Sequence, residues 1–420
     1  MEGSKGSGGP NELRDTYNAA YLIHFLLGAG NLLPWNALIT AVDYFGYLYP
    51  NKHVDKAFPV AYMGSSLLVL VLLMCCSSWN KLPRFRTRMN LGFSLFILAL
   101  MTAPIMDWIG HKNEPGANLN GAYGIIILAV TICGLADGLI GGSLIGAAGE
   151  LPGRYMQAVF AGTASSGVLV CILRIITKAS LPQTPKGLQT SAHFYFIIST
   201  FIVVVCIICC NILDKLPVIQ NYQQRRTMAR KTQASNFLGG IRNSMSRAYD
   251  AIEPNGHPRF WNVFIRIRWA ALGILVIYAV TLSIFPGYLA ENVESKLLQD
   301  WYPILLITTY NVSDLLGKSM AAIYVLRSIG KVTWGCIARL LFYPLFAACL
   351  HGPKWLRSEF PVIFLTGMLG LTNGYLTSVL MILAPKSVPD EEAETAGFVM
   401  ALFLAIGLAT GSVIGWFWII

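Results

Sequence analysis

The sequence of 420 residues is 55% hydrophobic and only 12% charged, and its formal net charge is +10. A soluble globular chain carries about 25% charged residues, so this one lacks the polar surface that a water-soluble protein needs. Its basic residues lie in loops between apolar runs, a distribution that membrane topology explains better than nucleic-acid binding does. The composition therefore indicates an integral membrane protein and no nucleic-acid partner.

Segments long enough to cross a bilayer occur about eleven times, since a helix needs roughly 20 apolar residues to span the hydrocarbon. Polar residues 1–17 precede them, and we expect a disordered cytoplasmic N-terminus there. The predicted spans, in chain order, are 18–42, 57–79, 89–107, 121–149, 155–178, 192–213, 262–286, 302–326, 332–350, 359–384 and 395–418.

One long hydrophilic loop, 214–261, divides the spans into a bundle of six helices at 18–213 and a bundle of five at 262–420. We predict an all-α polytopic membrane protein with a major-facilitator-like 6+5 arrangement, because many secondary transporters pair two helical halves. The loop is basic, and its composition fits either an amphipathic helix on anionic lipid or a flexible tether.

Lysine and arginine residues indicate the orientation of the spans, since cytoplasmic loops retain them. The loop after the second span carries Lys81, Arg84, Arg86 and Arg88, and the loop at 214–261 is richer still. We therefore expect the N-terminus inside the cell and, with an odd number of spans, the C-terminus outside.

The first span contains the string GAGNLLPWNALITAVDYF at 28–45. Pro34 removes one backbone hydrogen bond, so we expect a broken helix that lines a cavity or packs on its neighbours. Trp35 and Asn36 follow directly. An aromatic ring beside an amide suits a flat heteroaromatic ligand, and simple packing is the alternative interpretation.

The fourth span has a glycine at every fourth position, which leaves a groove without side chains along one helix face. Such a groove fits either static close packing or the sliding of helix bundles during transport. The glycines are Gly134, Gly138, Gly142 and Gly146.

Asp137 lies near the middle of the same span, with no charged residue within one helical turn. Burial disfavours the charged form of a carboxylate, and an ionisable group at membrane depth needs a reason. Asp137 is therefore a candidate proton carrier, unless it pairs with a base on another helix such as Arg174 or Arg339.

The eighth span contains the string YNVSDLLGKS at 310–319. Asp314 and Lys318 are four residues apart, so they share a helix face and can neutralise each other. Asn311 lies on the same face. This stripe of an amide, a carboxylate and an ammonium can bind a polar ligand, and a purely structural ion pair is the alternative.

Recognisable catalytic and metal-binding patterns do not occur in the sequence. The 9 cysteines lie mostly within apolar runs, and the 6 histidines are scattered. We therefore expect no enzyme activity, no metal and no cofactor. The broken first helix and the single compact polar stripe favour a gated carrier over a channel.

Several strings, taken in their order and in their spans, resemble the equilibrative nucleoside transporter family, and the chain looks like a plant member. The resemblance extends from Gly28 to the last span. The strings are GAGNLLPWNALIT at 28–40, GGSLIGAAGELPGRY at 141–155, AGTASSG at 161–167, FPGY at 285–288, NVSDLLGKS at 311–319, ARLLFYP at 338–344, TNGYLTS at 372–378 and PKSVPDEEAETAG at 385–397.

The resemblance implies eleven spans, a cytoplasmic N-terminus, and transport of purine and pyrimidine nucleosides such as adenosine and uridine by alternating access. It also implies that Ile39 influences inhibitor sensitivity, and that Gly162 and Gly167 are needed for packing and transport. The substrate-binding residues that we predict from the resemblance are Leu32, Trp35, Asn36, Ile39, Phe285, Asn311, Asp314 and Lys318.

Three positions depart from the family pattern. Lys318 stands where many members have arginine, Gly141 stands where animal members place a glutamine that contacts the base, and Asp137 stands where the best-known animal member has glycine. An added carboxylate and a base that can lose its proton suit proton coupling, and the resemblance to plant members implies proton symport.

We therefore predict a proton-coupled nucleoside symporter, with a facilitative nucleoside or nucleobase carrier as the alternative. Nucleotides are disfavoured because the predicted cavity offers little positive charge for phosphates. The expected partners are nucleosides, protons and membrane lipids, and we expect the protein to work as a monomer. The plasma membrane is the expected location, and the vacuolar membrane stays open because sorting signals are not readable here.

Overall fold

The computed structural model describes residues 15–50, 54–78, 84–110, 119–182, 184–222, 259–285, 298–353 and 358–415, together with Lys52, Gln224, Met228 and Leu356. Every regular element among these residues is a helix. Residues 1–14 and most of the loop at 214–261 lie outside the described residues, so the predicted forms of these segments stay predictions.

The helices fall into two groups along the chain. The first group is α1 (Ala19–Thr40), α2 (Val42–Leu48), α3 (Val54–Ser78), α4 (Phe85–Gly110), α5 (Leu119–Gly149), α6 (Gly153–Ser180) and α7 (Pro185–Leu213). The second group is α8 (Arg259–Ile284), α9 (Tyr302–Ile323), α10 (Ile329–Ala338), α11 (Phe342–His351), α12 (Glu359–Lys386) and α13 (Ala393–Gly415).

Within the described ranges, 10 helical segments are long and apolar enough to cross a membrane. They correspond to ten of the predicted spans, with α10 and α11 together forming one segment. The remaining predicted span is α9, which has 22 residues, carries Asn311, Asp314 and Lys318, and is not among these ten segments. A count of eleven spans therefore stays a prediction.

The two groups pack as two halves. In the first half, α1 packs on α6 and α7, and α5 packs on α3 and α4. In the second half, α9 packs on α12, and α8 packs on α13. The halves meet mainly where α6 packs on α9 and where α13 packs on α3 and α5, and α12 makes smaller contacts with α6 and α5. We call the contact between α6 and α9 the seam.

One acidic residue marks each end of the bundle. Asp15 accepts hydrogen bonds from the first backbone amides of α1, and its carboxylate lies 3.4 Å from the Arg154 guanidinium at the start of α6. Asp107 lies near the end of α4, and its carboxylate lies 2.7 Å from His193 Nε2 near the start of α7. These are the Asp15 end and the Asp107 end.

The first helix corrects one prediction from the sequence, because α1 continues as an α-helix through Pro34. Proline removes a single helical hydrogen bond, and close packing on α6 holds the rest of the helix in place. A side chain at Gly28 would overlap the Val159 carbonyl, so the two backbones are in contact. The chain bends instead at Ala41, between α1 and α2.

The ninth predicted span is interrupted in the structure. A 3-10 turn at Arg339–Leu341 separates α10 from α11. Pro344 lies in the first turn of α11, where its missing N–H costs no helical hydrogen bond. The interruption places Arg339 in the interior of the second half, where it is 2% exposed.

Candidate functional site

The polar stripe of α9 lies in the interior of the protein. Lys318 Nζ is 2.8 Å from Asp314 Oδ2, and the two residues are 4% and 5% exposed. Their spacing of one helical turn brings the charges together. Burying two charges costs several kcal/mol per ion before their attraction is counted, so only a close pair is stable here.

The stripe reaches across the seam to α6 in the other half. Lys318 Nζ donates to Thr163 Oγ1 at 3.3 Å, and Gln157 Nε2 donates to the Lys318 carbonyl at 3.3 Å. Asn311 Nδ2 donates weakly to Cys171 Sγ at 3.3 Å. The predicted amide, carboxylate and ammonium therefore lie where the two halves meet.

Two glycines of α6 allow its neighbours to approach closely, one facing α9 and the other facing α1. A side chain at Gly167 would overlap Asn311 Oδ1, and a side chain at Gly162 would overlap the Phe25 carbonyl of α1. Gly167 thus makes room for a side chain of the stripe, whereas Gly162 makes room for a helix backbone.

The candidate residues of α1 lie on the opposite side of α6. Asn36 Nδ2 donates to Ser166 Oγ at 2.9 Å. The Trp35 ring packs on Tyr62, with 4.4 Å between ring centroids. Leu32 and Ile39 lie on the same side of α1 and are half-buried. Because α6 separates α1 from α9, the two sets of candidates meet through α6.

Phe285 lies at the end of α8, on the side of α9 toward the Asp107 end. Its ring stacks on Tyr310, with centroids 4.0 Å apart and planes inclined by 19°. Phe285 is half-buried, and the residues that follow it in the FPGY string lie outside the described part of the chain. The structure therefore brings Phe285 to α9.

Asp137 lies between α5 and α3. Ser66 Oγ donates to Asp137 Oδ2 at 2.8 Å, and the buried Tyr62 hydroxyl lies near the same carboxylate without a hydrogen bond to any described residue. Tyr62 also packs on Trp35. A short chain of contacts therefore connects the carboxylate with the aromatic residue of α1.

The alternative in which Asp137 pairs with Arg174 or Arg339 is wrong. Arg174 bonds the Asp43 carboxylate instead, and Arg339 donates to Thr281 Oγ1 at 2.7 Å. Asp137 forms no ion pair with any residue that the structure describes. The pairing failed as a prediction because sequence alone does not give the distance between helices.

The glycine groove of α5 contacts two helices. Side chains at three of its glycines would overlap or press on α3, and a Cβ on the fourth, Gly146, would press on the Phe398 ring of α13 at 3.1 Å. A Cβ on Gly397 of α13 would lie 2.7 Å from Gly146 Cα. The glycines that face α3 are Gly134, Gly138 and Gly142.

Sequence reasoning missed the residues that surround the Asp314 carboxylate. Asn373 Nδ2 donates to Asp314 Oδ1 at 2.7 Å, and Thr281 Oγ1 donates to Asn373 Oδ1 at 2.9 Å. Asn373 and Arg339 both lie in strings that carry the family resemblance, TNGYLTS and ARLLFYP. That signal marked the segments without assigning these side chains a role.

Asn31 is a second residue that the sequence analysis missed. A Cβ on Gly141 would lie 3.4 Å from Asn31 Nδ2, so the Asn31 amide occupies the space beside this glycine. Its Oδ1 atom is buried and makes no hydrogen bond with the described residues. Asn31 therefore presents an amide next to the position where animal members have a glutamine.

Known proteins match this chain over most of its length. The model of the Nucleoside transporter family matches residues 127–420. Equilibrative nucleotide transporter 8 of Arabidopsis thaliana is 58% identical, over 97% of this chain and 97% of its own length. Equilibrative nucleotide transporter 1 of the same plant is 50% identical, over 97% of this chain and 87% of its own.

Solved structures of transporters share the fold. The proton:xylose symporter XylE bound to 6-bromo-6-deoxy-D-glucose, of the major facilitator superfamily, aligns with a TM-score of 0.66 at 12% identity, over 96% of this chain and 89% of its own. A bacterial homologue of the iron transporter ferroportin, in its outward-facing state, aligns with a TM-score of 0.58 at 13% identity, over 96% of this chain and 92% of its own.

The chain therefore belongs to the nucleoside transporter family, as a plant-type equilibrative member, and the resemblance found in its motifs is confirmed. It is an integral multi-pass membrane protein with the major-facilitator fold, and its family membership shows that it acts in transmembrane transport.

Proposed function

We propose that this protein carries purine and pyrimidine nucleosides across the membrane by alternating access, in symport with protons. The observation that carries the proposal is the Asp314–Lys318 pair, which is buried and reaches Thr163 in the other half at the seam. A polar group at this depth serves a ligand that both halves touch in turn.

The candidate residues on the two sides of α6 together suit an uncharged ligand that both donates and accepts hydrogen bonds. Asp314 is an acceptor, Lys318 is a donor, and the amides of Asn36 and Asn311 are both. Trp35 adds an aromatic face, and a flat heteroaromatic base stacks on such a face. A nucleoside combines a flat base with a ribose that carries hydroxyl groups.

Charge balance favours nucleosides over nucleotides as the substrates of this protein, although the two plant relatives are called nucleotide transporters. The Lys318 ammonium is neutralised by Asp314 at 2.8 Å. Arg339 is buried and directs its Nη atoms to Thr281, Thr372 and the Leu369 carbonyl. Among the described residues of the seam, a phosphate group would therefore meet the Asp314 carboxylate and an ammonium that this carboxylate already neutralises, because Arg339 is directed to groups inside the second half.

Alternating access is supported by the contacts between the halves. At the Asp15 end, which the basic loops assign to the cytoplasm, Arg88 Nη2 lies 3.3 Å from Glu394 Oε1 of α13. Gly146 and Gly397 bring α5 and α13 into backbone contact at the same end. We propose eleven spans in total, with α9 as the span that carries the polar stripe and the C-terminus outside.

Proton coupling is supported by Asp137. This carboxylate has a hydroxyl donor in Ser66 and no cation partner among the described residues. Tyr62 connects it with Trp35 of the candidate site. Binding or release of a proton at Asp137 would therefore change the environment of Trp35, on the α1 side of the substrate site. A facilitative nucleoside or nucleobase carrier is the alternative.

Uptake into proteoliposomes tests this proposal. Labelled adenosine should enter vesicles that contain the protein in a saturable manner, and unlabelled uridine should compete. Unlabelled AMP, ATP and glucose should not compete. Strong competition by adenine would favour the nucleobase alternative, and competition by AMP equal to that by uridine would overturn the charge argument.

A further inference from the structure

The buried polar side chains of the second half form a chain of hydrogen bonds that ends on Asp314. Arg339 Nη2 donates to Thr281 Oγ1 at 2.7 Å, and Thr281 Oγ1 donates to Asn373 Oδ1 at 2.9 Å. Asn373 Nδ2 then donates to Asp314 Oδ1 at 2.7 Å. The chain joins the turn before α11 with α8, α12 and α9, and all four residues are buried.

Arg339 gives this chain a fixed direction. A guanidinium donates hydrogen bonds and accepts none, so the Thr281 oxygen is an acceptor toward Arg339 and its single proton is free for Asn373. Asn373 must therefore present its carbonyl oxygen to Thr281 and its NH₂ group to Asp314. The opposite orientation of the amide would bring its oxygen against the carboxylate, an acceptor against an acceptor.

The chain also fixes the plane of the Asp314 carboxylate. Oδ1 accepts from Asn373, and Oδ2 lies 2.8 Å from Lys318 Nζ. Rotation of the carboxylate would break both contacts in a buried position, where a charged group that loses its hydrogen bonds is strongly disfavoured. Oδ2 is thereby held on the side of the seam.

Glycines of α12 allow α9 and α12 to lie close enough for the contact between Asn373 and Asp314. Side chains at Gly370 and Gly374 would overlap the Tyr310 and Asp314 carbonyls of α9. Asn373 lies between these glycines in sequence, so the contact of the backbones brings its short side chain within reach of Asp314. A looser crossing would leave the amide too far from the carboxylate.

Stability alone does not account for the chain. Arg339 forms no ion pair with the described residues, and its Nε atom is buried without a partner. Well-packed apolar residues often replace a buried charged network with no loss of stability. We therefore interpret this chain of hydrogen bonds as a device that orients Asp314 rather than one that stabilises the fold.

We propose that Asn373 is a positioning residue, which Thr281 and Arg339 hold in one orientation so that Asp314 meets the nucleoside at the seam in a fixed geometry. The inference rests on the proposed nucleoside transport. It assigns Asn373 no contact with the substrate, because the Asn373 side chain lies behind the carboxylate.

Substitutions at Thr281 test the chain one step away from Asp314. Thr281→Val keeps the shape of the side chain and removes the hydroxyl, so Asn373 Oδ1 loses the donor of its hydrogen bond. Thr281→Ser keeps the hydroxyl. Ser283→Ala is the matched control, since Ser283 is buried on the same helix and bonds Tyr343 at 2.7 Å, away from the chain. The readouts are KM for adenosine in proteoliposomes and the unfolding temperature of the purified full-length protein.

We expect Thr281→Val to raise KM about tenfold, because the Asn373 amide loses the partner that orients it and its hydrogen bond to the Asp314 carboxylate is weakened. Thr281→Ser and Ser283→Ala should keep KM near the wild-type value. Thr281→Val should lower the unfolding temperature, because Arg339 Nη2 also loses its acceptor, so KM is measured at a temperature where this variant is folded. Asn373→Leu should raise KM further, and adding Thr281→Val to it should change little, because both act through the same amide.

Two results would overturn the inference. One is a wild-type KM in Thr281→Val, and the other is an additive effect of Thr281→Val in the Asn373→Leu background. Either result requires that the wild-type protein takes up adenosine. Absence of adenosine uptake by the wild type would instead overturn the proposed function.

Discussion

The Lys318 ammonium of α9 lies 3.3 Å from the Thr163 hydroxyl of α6, so the polar stripe of one half ends against the other half. The Asp314–Lys318 pair, by contrast, lies within α9 and does not depend on the position of α6. Movement of the halves during alternating access would break the first contact and leave the second intact. The site therefore combines a Lys318–Thr163 contact that depends on the relative position of the halves with an Asp314–Lys318 pair that does not.

Asp314→Asn should abolish nucleoside uptake and lower the stability of the protein, because it leaves the Lys318 ammonium buried without its counter-charge. Breaking a buried pair from one side costs about 3–5 kcal/mol. The double variant Asp314→Asn/Lys318→Gln should recover much of the unfolding temperature without recovering transport. Near-normal uptake by either variant would remove Asp314 from the site.

The glycines of α6 should respond differently to alanine. Gly167→Ala should raise KM for adenosine with a small effect on the unfolding temperature, because the added methyl group displaces the Asn311 side chain. Gly162→Ala presses on a backbone carbonyl and should destabilise the fold by about 1–3 kcal/mol. Gly64→Ala is the control, since a Cβ there meets no atom within 4 Å. Equal effects of all three substitutions would contradict this distinction.

Gly397→Leu should block transport by preventing closure at the Asp15 end. A Cβ on Gly397 already lies 2.7 Å from Gly146 Cα, and leucine adds three further carbons. Gly330→Leu makes the same change where no atom lies within 4 Å and should leave transport unchanged. The measurement is the maximal rate of adenosine uptake. An active Gly397→Leu variant would show that this closure is not part of the cycle.

Asp137→Asn should remove the response of uptake to a pH difference, because the amide keeps a hydrogen bond with Ser66 but binds no proton at this position. Asp107→Asn is the control, since Asp107 bonds His193 and Tyr44 at the Asp107 end of the bundle. Initial rates of adenosine uptake should be compared at acidic and neutral external pH. A pH response that survives Asp137→Asn would remove this residue from the coupling site.

The local sequence pattern predicted that the polar residues of α9 share one helix face. Asn311, Asp314 and Lys318 recur at helical spacing, so their common face follows from the geometry of one helix. The length of the apolar runs predicted the positions of most helices for the same reason. Such properties depend on neighbours within a few residues.

The environment of Asp314 could not be predicted in this way. Asn373 is 59 positions away in sequence, and its contact with Asp314 depends on how closely α9 and α12 cross. The continuous helix through Pro34 likewise depends on packing against α6, which local propensity does not contain. The partners of Arg174 and Asp137 are tertiary contacts too.

Accumulation of labelled adenosine in proteoliposomes, with the pH lower outside than inside, tests the central claim most directly. A proton-coupled nucleoside symporter predicts an internal concentration above the external one, lost on adding a protonophore and absent in Asp314→Asn. Uptake that only equalises the two concentrations would contradict proton coupling. Uptake no greater than in protein-free vesicles would contradict nucleoside transport itself.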